Sequence, residues 1–185
     1  MVELELCRAL RSFITDAVKD LQLPVEPPQQ ILDADDYPED EETPETPPEE
    51  PSPTEEYANC RTPTVINGYL PPKENDVDRG KDFPFIVVRP DEATSTREST
   101  VATVSIIFGA YSQTSDGYEH CLNMMTRVRN ALMSMPFLTL NERYILEDEV
   151  TWRNLSEQPY PYWQIDMTTK WTFISPQPIS GVEDL

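Results

Sequence analysis

The stretch E-Q-P-Y-P-Y-W-Q-I-D-M-T-T-K-W-T-F, from Glu157 to Phe173, decides the fold. From Trp163 onward, apolar residues and Thr169 occupy the odd positions, and polar residues occupy the even positions. Because successive side chains of a strand point to opposite faces, this alternation predicts one long strand with one buried face. A slip of one residue would move the whole apolar set into water, so the pairing register is well specified. Pro159 and Pro161 have no backbone N–H for a sheet ladder and are therefore expected before the strand.

Two helices and four further strands are predicted along the rest of the chain. Apolar residues at three- and four-residue spacing predict a helix from Val2 to Gln22 and a second helix that ends at about Ser134. At the start of the second helix, Asp116 and Glu119 have the spacing of a capping-box pair. The predicted strands are Thr64 to Leu70, Phe83 to Arg89, Thr100 to Tyr111 and Arg143 to Asn154, with a hairpin loop at Asp91 to Ser99. This order predicts an α+β fold, in which two helices pack on one face of a mixed, largely antiparallel sheet.

Residues 24–62 differ in composition from the rest of the chain and form a long acidic, Pro-rich insertion. They contain nine prolines, and the part from Pro24 to Tyr57 holds 13 acidic residues and no Lys or Arg. Such a segment buries too little apolar surface to offset its ordering entropy alone, which predicts an extended linker. The alternative is an arm that becomes ordered on a neighbouring subunit, with Ile31, Leu32 and Tyr37 as its anchors.

The predicted organisation therefore has four parts. Residues 1–23 form an N-terminal helix that belongs to the fold, and 24–62 form the acidic linker or arm. Residues 63–175 form the α+β core, and 176–185 form a C-terminal extension.

Net charge argues against a nucleic-acid-binding surface. The chain carries −20, of which the residues outside Pro24 to Tyr57 hold about −7. Binding to nucleic acid requires clustered Lys and Arg, which this sequence does not offer. A negative surface suits the passage of DNA without adhesion. No apolar run approaches the length of a membrane span, and no signal-peptide core follows Met1, so no membrane contact is expected.

Motifs for catalysis and for cofactor binding are missing from the sequence. The five glycines form neither a phosphate-binding loop nor a dinucleotide fingerprint. His120 and Cys121 are adjacent, so on a helix their side chains would point about 100° apart. Cys7, Cys60 and Cys121 contain no CxxC spacing, which predicts reduced thiols and no metal site. We therefore expect no enzyme activity, no cofactor and no metal.

Aromatic residues near the end of the chain have two interpretations. Trp152, Tyr160, Tyr162 and Trp163 either fill the core and cover the end of the sheet, or contact another subunit or partner. Tyr and Trp are enriched in both settings, so the sequence leaves the alternatives open.

A series of short motifs resembles one known family. The segments are L-Q-L-P (Leu21 to Pro24), V-I-N-G-Y-L-P-P-K (Val65 to Lys73), D-F-P-F-I-V-V-R-P (Asp82 to Pro90), V-S-I-I-F-G-A-Y-S (Val104 to Ser112), D-G-Y-E-H-C-L-N-M-M-T-R-V-R-N-A-L (Asp116 to Leu132), E-Q-P-Y-P-Y-W (Glu157 to Trp163) and M-T-T-K-W (Met167 to Trp171). Together they resemble the tail terminator (tail-completion) proteins of long-tailed bacteriophages. The acidic segment is longer than this resemblance leads us to expect.

The resemblance implies a structural protein of the virion. Such proteins form a ring, usually a homohexamer, on the head-proximal end of the tail tube. The ring stops tube polymerisation and offers a surface to the head–tail connector or stopper protein, while DNA passes through its lumen without specific binding. The implied location is the neck region of the virion tail, and the host cytoplasm during assembly.

Two other functions remain open at this point. The protein could be another neck or head-completion component, such as a stopper or adaptor. It could also be an acidic mimic of DNA that inhibits a host protein, an alternative that rests only on the charge of Pro24 to Tyr57.

Overall fold

A computed structural model of the chain describes residues 2–25, 60–72 and 82–175. Ile31, Leu32 and Tyr37 lie outside these residues, as do most of the acidic segment and the extension 176–185. The helices are α1 (Val2–Val18) and α2 (Gly117–Met133). The strands are β1 (Leu23–Pro24), β2 (Cys60–Arg61), β3 (Thr64–Asn67), β4 (Phe85–Ser95), β5 (Ser99–Tyr111), β6 (Thr139–Leu140), β7 (Tyr144–Leu146), β8 (Thr151–Asn154) and β9 (Tyr162–Ile174).

The centre of the sheet is the antiparallel pair of β5 and β9. Their register runs without a shift from Ser99 opposite Ile174 to Tyr111 opposite Tyr162. The strand order is β3-β4-β5-β9-β7-β6, and β8 pairs with β9 beside β7. Only β3 and β4 run parallel, while the other described neighbours run antiparallel. The sheet is thus mixed and largely antiparallel, as predicted.

Both helices pack on one face of this sheet and form the main core with it. The alternating face of β9 is buried as predicted, with Thr169 among its apolar residues. The core combines side chains from α1, from α2 and from the two central strands: Leu6, Leu10, Ile14, Met125, Val128, Leu132, Val104, Ile106, Phe108, Ile165, Met167 and Trp171. The α+β prediction is confirmed.

A smaller aromatic cluster covers one end of the opposite face. Phe83, Phe85, Val87 and Tyr111 are buried there, and Ile107 packs against them. Phe85 lies directly opposite Gly109, where a Cβ atom would approach the Phe85 ring to 2.2 Å. Glycine is therefore required at this position because the ring occupies the space of a side chain.

The first helix is shorter than predicted. It ends at Val18, and the Leu21 N–H donates to the Val18 carbonyl in the turn that follows. Leu23 is buried and pairs with Arg61 across β1 and β2. The apolar spacing of Leu21 suited a helix, but its partly buried side chain reaches the core from the turn.

The predicted strand from Phe83 to Arg89 was expected to end just before Pro90, and this was wrong. β4 continues to Ser95, with a bulge between Pro90 and Glu92. β3 covers only Phe85 to Val88 of this strand, so Pro90 lies past the end of β3 and at a bulge. Both are positions where a strand tolerates a missing N–H. The predicted loop at Asp91 to Ser99 is consequently reduced to a turn at residues 96–98.

Other local predictions also needed correction. The predicted strand from Arg143 to Asn154 is two short strands, β7 and β8, with three consecutive acids at residues 147–149 between them. Asp116 has helical dihedral angles and makes no side-chain capping bond, so the capping box does not form. β3 ends at Asn67 because the chain turns at Gly68, whose φ is +85°.

We predict that Trp171→Ala lowers the free energy of unfolding by about 3–5 kcal/mol, because it empties a fully buried site in the core. It also removes the bond from Trp171 Nε1 to Thr169 Oγ1, a hydroxyl that itself donates to the Val104 carbonyl. Urea unfolding measures the loss. The control is Lys170→Ala at the adjacent exposed position, for which a change within about 0.5 kcal/mol is expected.

Candidate subunit and partner interface

Trp163, a predicted interface residue, is part of the folded framework. Its indole Nε1 donates to the Ser112 carbonyl at 3.0 Å, in the turn between β5 and α2. A Cβ atom on Gly117 would lie 2.2 Å from the indole ring, so the first residue of α2 must be glycine. Trp163 therefore fixes the start of α2 against β9.

The Pro-rich loop before β9 is held by a compact set of hydrogen bonds. Gln158 uses both ends of its side-chain amide on the backbone of Gln164, at 2.8 and 2.9 Å. The Ser112 N–H donates to the Pro161 carbonyl, and the Tyr160 hydroxyl donates to the Gln113 carbonyl at 2.8 Å. These bonds tie the loop to the turn that leads into α2.

Tyr162 belongs to the smaller aromatic cluster. Its ring stacks on Phe83 with centroids 5.4 Å apart and meets Tyr111 edge-on at 5.5 Å. Tyr160 differs from its neighbours because 64% of its surface is exposed. Of the three aromatics in this motif, Tyr160 is therefore the one whose surface is mostly exposed.

Trp152 lies apart from this group, on the short strand β8. It pairs with Met167, five residues along β9 from Tyr162, which corresponds to a separation of about 16 Å. Its side chain is 41% exposed, and all four residues of β8 are classed as exposed. The predicted interface residues therefore form two separate surfaces, one at Tyr160 and one at β8.

Phe137 is an exposed apolar residue that the sequence patterns do not single out. Phe137, in the turn after α2, is 95% exposed and has a left-handed backbone with φ of 53°. Leu138, which follows it, has a φ of 51°. Left-handed backbone is disfavoured for residues other than glycine, and such outliers occur often at functional sites. The sequence carries no signal for this exposure, because an apolar residue beside a helix end is equally consistent with burial.

Two of the three cysteines, Cys7 and Cys121, are buried in the core. Burial raises the pKa of the Cys7 thiol to about 11 and that of the Cys121 thiol to about 12. Cys121 Sγ contacts the carbonyl oxygens of Phe108 and Trp163, while His120 is only partly buried. Among residues 2–25, 60–72 and 82–175, no cluster of His, Cys, Asp and Glu could hold a metal ion. Within the same residues, no helix is long and apolar enough to cross a membrane.

The chain matches no protein-family model and no curated protein. The resemblance to tail terminators therefore rests on the motif series alone.

We predict that Gly117→Ala destabilises the fold by about 1–3 kcal/mol, although alanine favours helices, because the new methyl group meets the Trp163 indole. Urea unfolding of the single variants and of the double variant with Trp163→Leu measures the coupling between the two positions. In the Trp163→Leu background the cost of Gly117→Ala should fall below about 1 kcal/mol. An equal cost in both backgrounds would contradict the proposed contact.

A second prediction concerns thiol reactivity. Only the thiolate reacts with a disulfide reagent, and at pH 8 a thiol with a pKa of about 11 is ionised to about 0.1%. We expect one fast-reacting thiol in the native protein, at the partly buried Cys60, and three in urea. Cys60→Ser should abolish the fast phase, and a fast phase that persists in this variant would contradict the burial of Cys7 and Cys121.

Proposed function

We propose that this protein is a tail terminator of a long-tailed bacteriophage. It assembles as a ring, expected to be a homohexamer, on the head-proximal end of the tail tube. There it stops the addition of tube subunits and provides the surface on which the head connector docks. DNA passes through the lumen of the ring without specific binding.

The order of the motifs along the sequence carries this proposal. After L-Q-L-P, the motifs fall on β3, β4, β5, α2 and the loop leading into β9, which together form most of the fold. Two contacts join one motif to another, since Phe85 packs on Gly109 and Trp163 packs on Gly117. The motif series thus corresponds to one connected framework, which supports its use as the signature of a family.

Charge and surface chemistry supply further support. The net charge of −20 disfavours adhesion of DNA, as a channel for DNA requires. Trp152 and Tyr160 offer exposed aromatic rings on different parts of the protomer. A closed ring needs two different contact surfaces on each copy, one for each neighbour.

Imaging of particles assembled without this protein tests the proposal. A host carrying the phage genome with the gene deleted should yield heads without tails and tubes of uncontrolled length. Restoration of the gene should return tails of uniform length.

Other outcomes identify the alternative functions. Tails of uniform length that do not join heads would indicate a stopper or adaptor instead. Normal virions would exclude both structural roles. Capture of a host DNA-binding protein that is lost on deletion of 24–57 would then indicate the DNA mimic.

We predict that Trp152→Asp prevents ring formation, because it places a charge on an exposed aromatic residue that we assign to a subunit contact. Loss of such an anchor costs about 2 kcal/mol or more for each interface. Native mass spectrometry should show rings for the unchanged protein and protomers for the variant. Thr151→Asp, also exposed on β8 but paired with Thr168 on the opposite face, is the matched control and should retain rings. Rings of equal abundance in both variants would exclude this face of β8 from the interface.

A further inference from the structure

A groove of about 800 Å³ lies where β9 leaves the sheet. It is formed by the end of β9, by β6 and β7 with the turn between them, and by the first residue of β5 and of α1. Its lining consists of Val2, Ser99, Thr139, Glu142, Arg143, Ile145, Thr172, Phe173, Ile174 and Ser175.

Two isoleucines make one wall of this groove apolar. Ile145 pairs with Thr172 across β7 and β9, and Ile174 follows Thr172 by two residues on the same face of β9. Ile174 is 75% exposed and Ile145 is 51% exposed. Burying both side chains would stabilise the protein appreciably, and within the described part of the chain nothing covers them.

The polypeptide leaves the described structure at this same groove. Ser175 lines the groove and is held in place, because its N–H donates to the Glu98 carbonyl at 3.2 Å and its hydroxyl contacts that of Thr100 at 2.9 Å. Ten residues follow in the sequence, P-Q-P-I-S-G-V-E-D-L, with Ile179 and Val182 as the apolar positions before the acids.

We propose that this groove binds residues 176–182 of the same chain, with the Ile179 side chain packed against Ile145 and Ile174. Ile179 lies four residues beyond Ser175, and an extended chain of that length reaches up to about 14 Å. Neighbouring strands lie about 5 Å apart, so Ile145 on β7 is within this reach. The short connection from Ser175 keeps the segment at a high effective concentration beside its groove.

Charge at the groove has a secondary effect. Glu142 and Arg143 lie side by side at the rim, and Arg143 already pairs with Glu5 at 2.8 Å. The acids Glu183 and Asp184 would thus meet one charge of each sign. Apolar contact therefore determines the binding, and the segment's register is set by Ile179. The inference is independent of the proposed function, since it concerns contacts within one protomer.

Disulfide trapping in the full-length chain tests this inference. In a Cys60→Ser background, one variant carries Thr139→Cys and Ser180→Cys, and the other carries Glu98→Cys and Ser180→Cys, so that both variants keep Ile179. Glu98 is a matched control because it contacts Ser175 through its carbonyl, yet its side chain is exposed and does not line the groove. The buried thiols of Cys7 and Cys121 remain unreactive under mild oxidation at pH 8.

If the segment occupies the groove, the first pair should form an intramolecular disulfide at least about tenfold faster than the control pair. Adding Ile145→Asp to the first pair should lower its rate to that of the control, while urea unfolding shows that the fold persists. Equal rates for the two pairs, or a rate insensitive to Ile145→Asp, would overturn the inference. Disulfides that join two chains would also overturn it, because the groove would then bind the segment of another copy.

Discussion

The uninterrupted pairing of β5 with β9 is the constraint on which the other elements depend. Each strand contributes thirteen residues, and their pairing shows no bulge. β4 attaches to the free side of β5, whereas β7 and β8 attach to the free side of β9. Because one residue of slip would expose the whole apolar face, the register also fixes where both helices pack. The bonds that link Trp171, Thr169 and Val104 satisfy the polar atoms buried at this pair.

The sequence predicts an element of the fold correctly where one physical effect dominates locally. The alternation after Trp163 is decided by burial alone, and the structure confirms both the strand and its buried face. The strand end predicted before Pro90 was wrong because β4 tolerates a proline beyond the end of β3. How far β3 extends is a property of the sheet and not of the local sequence. Aspartate is a favoured residue type at helix N-caps, but Asp116 has helical dihedral angles and its side chain makes no capping hydrogen bond.

The candidate interface was predictable only in part, for a related reason. Trp152, Tyr160, Tyr162 and Trp163 are chemically similar, and their sequence positions do not separate core from surface. In the structure, the distinction comes from partners far along the chain: Gly117 and Ser112 enclose Trp163, while Phe83 stacks on Tyr162. Tyr160 and Trp152 remain the exposed candidates, and Phe137 joins them without any sequence signal. The motifs that suggest the family therefore consist largely of residues that build the fold.

The difference between residues that build the fold and residues that are exposed indicates where contacts to other molecules would lie. Most of the motif residues hold one protomer together, so under the proposed function contacts to a tail tube and to neighbouring subunits would use exposed residues outside the aromatic clusters. Cryo-electron microscopy of purified tail tubes mixed with this protein tests the proposed terminating role. We predict a ring of density at one end of each tube, the head-proximal end, and no further growth when tube subunits are added. Protein absent from the tubes or distributed along their length, with growth continuing at both ends, would contradict a terminating role.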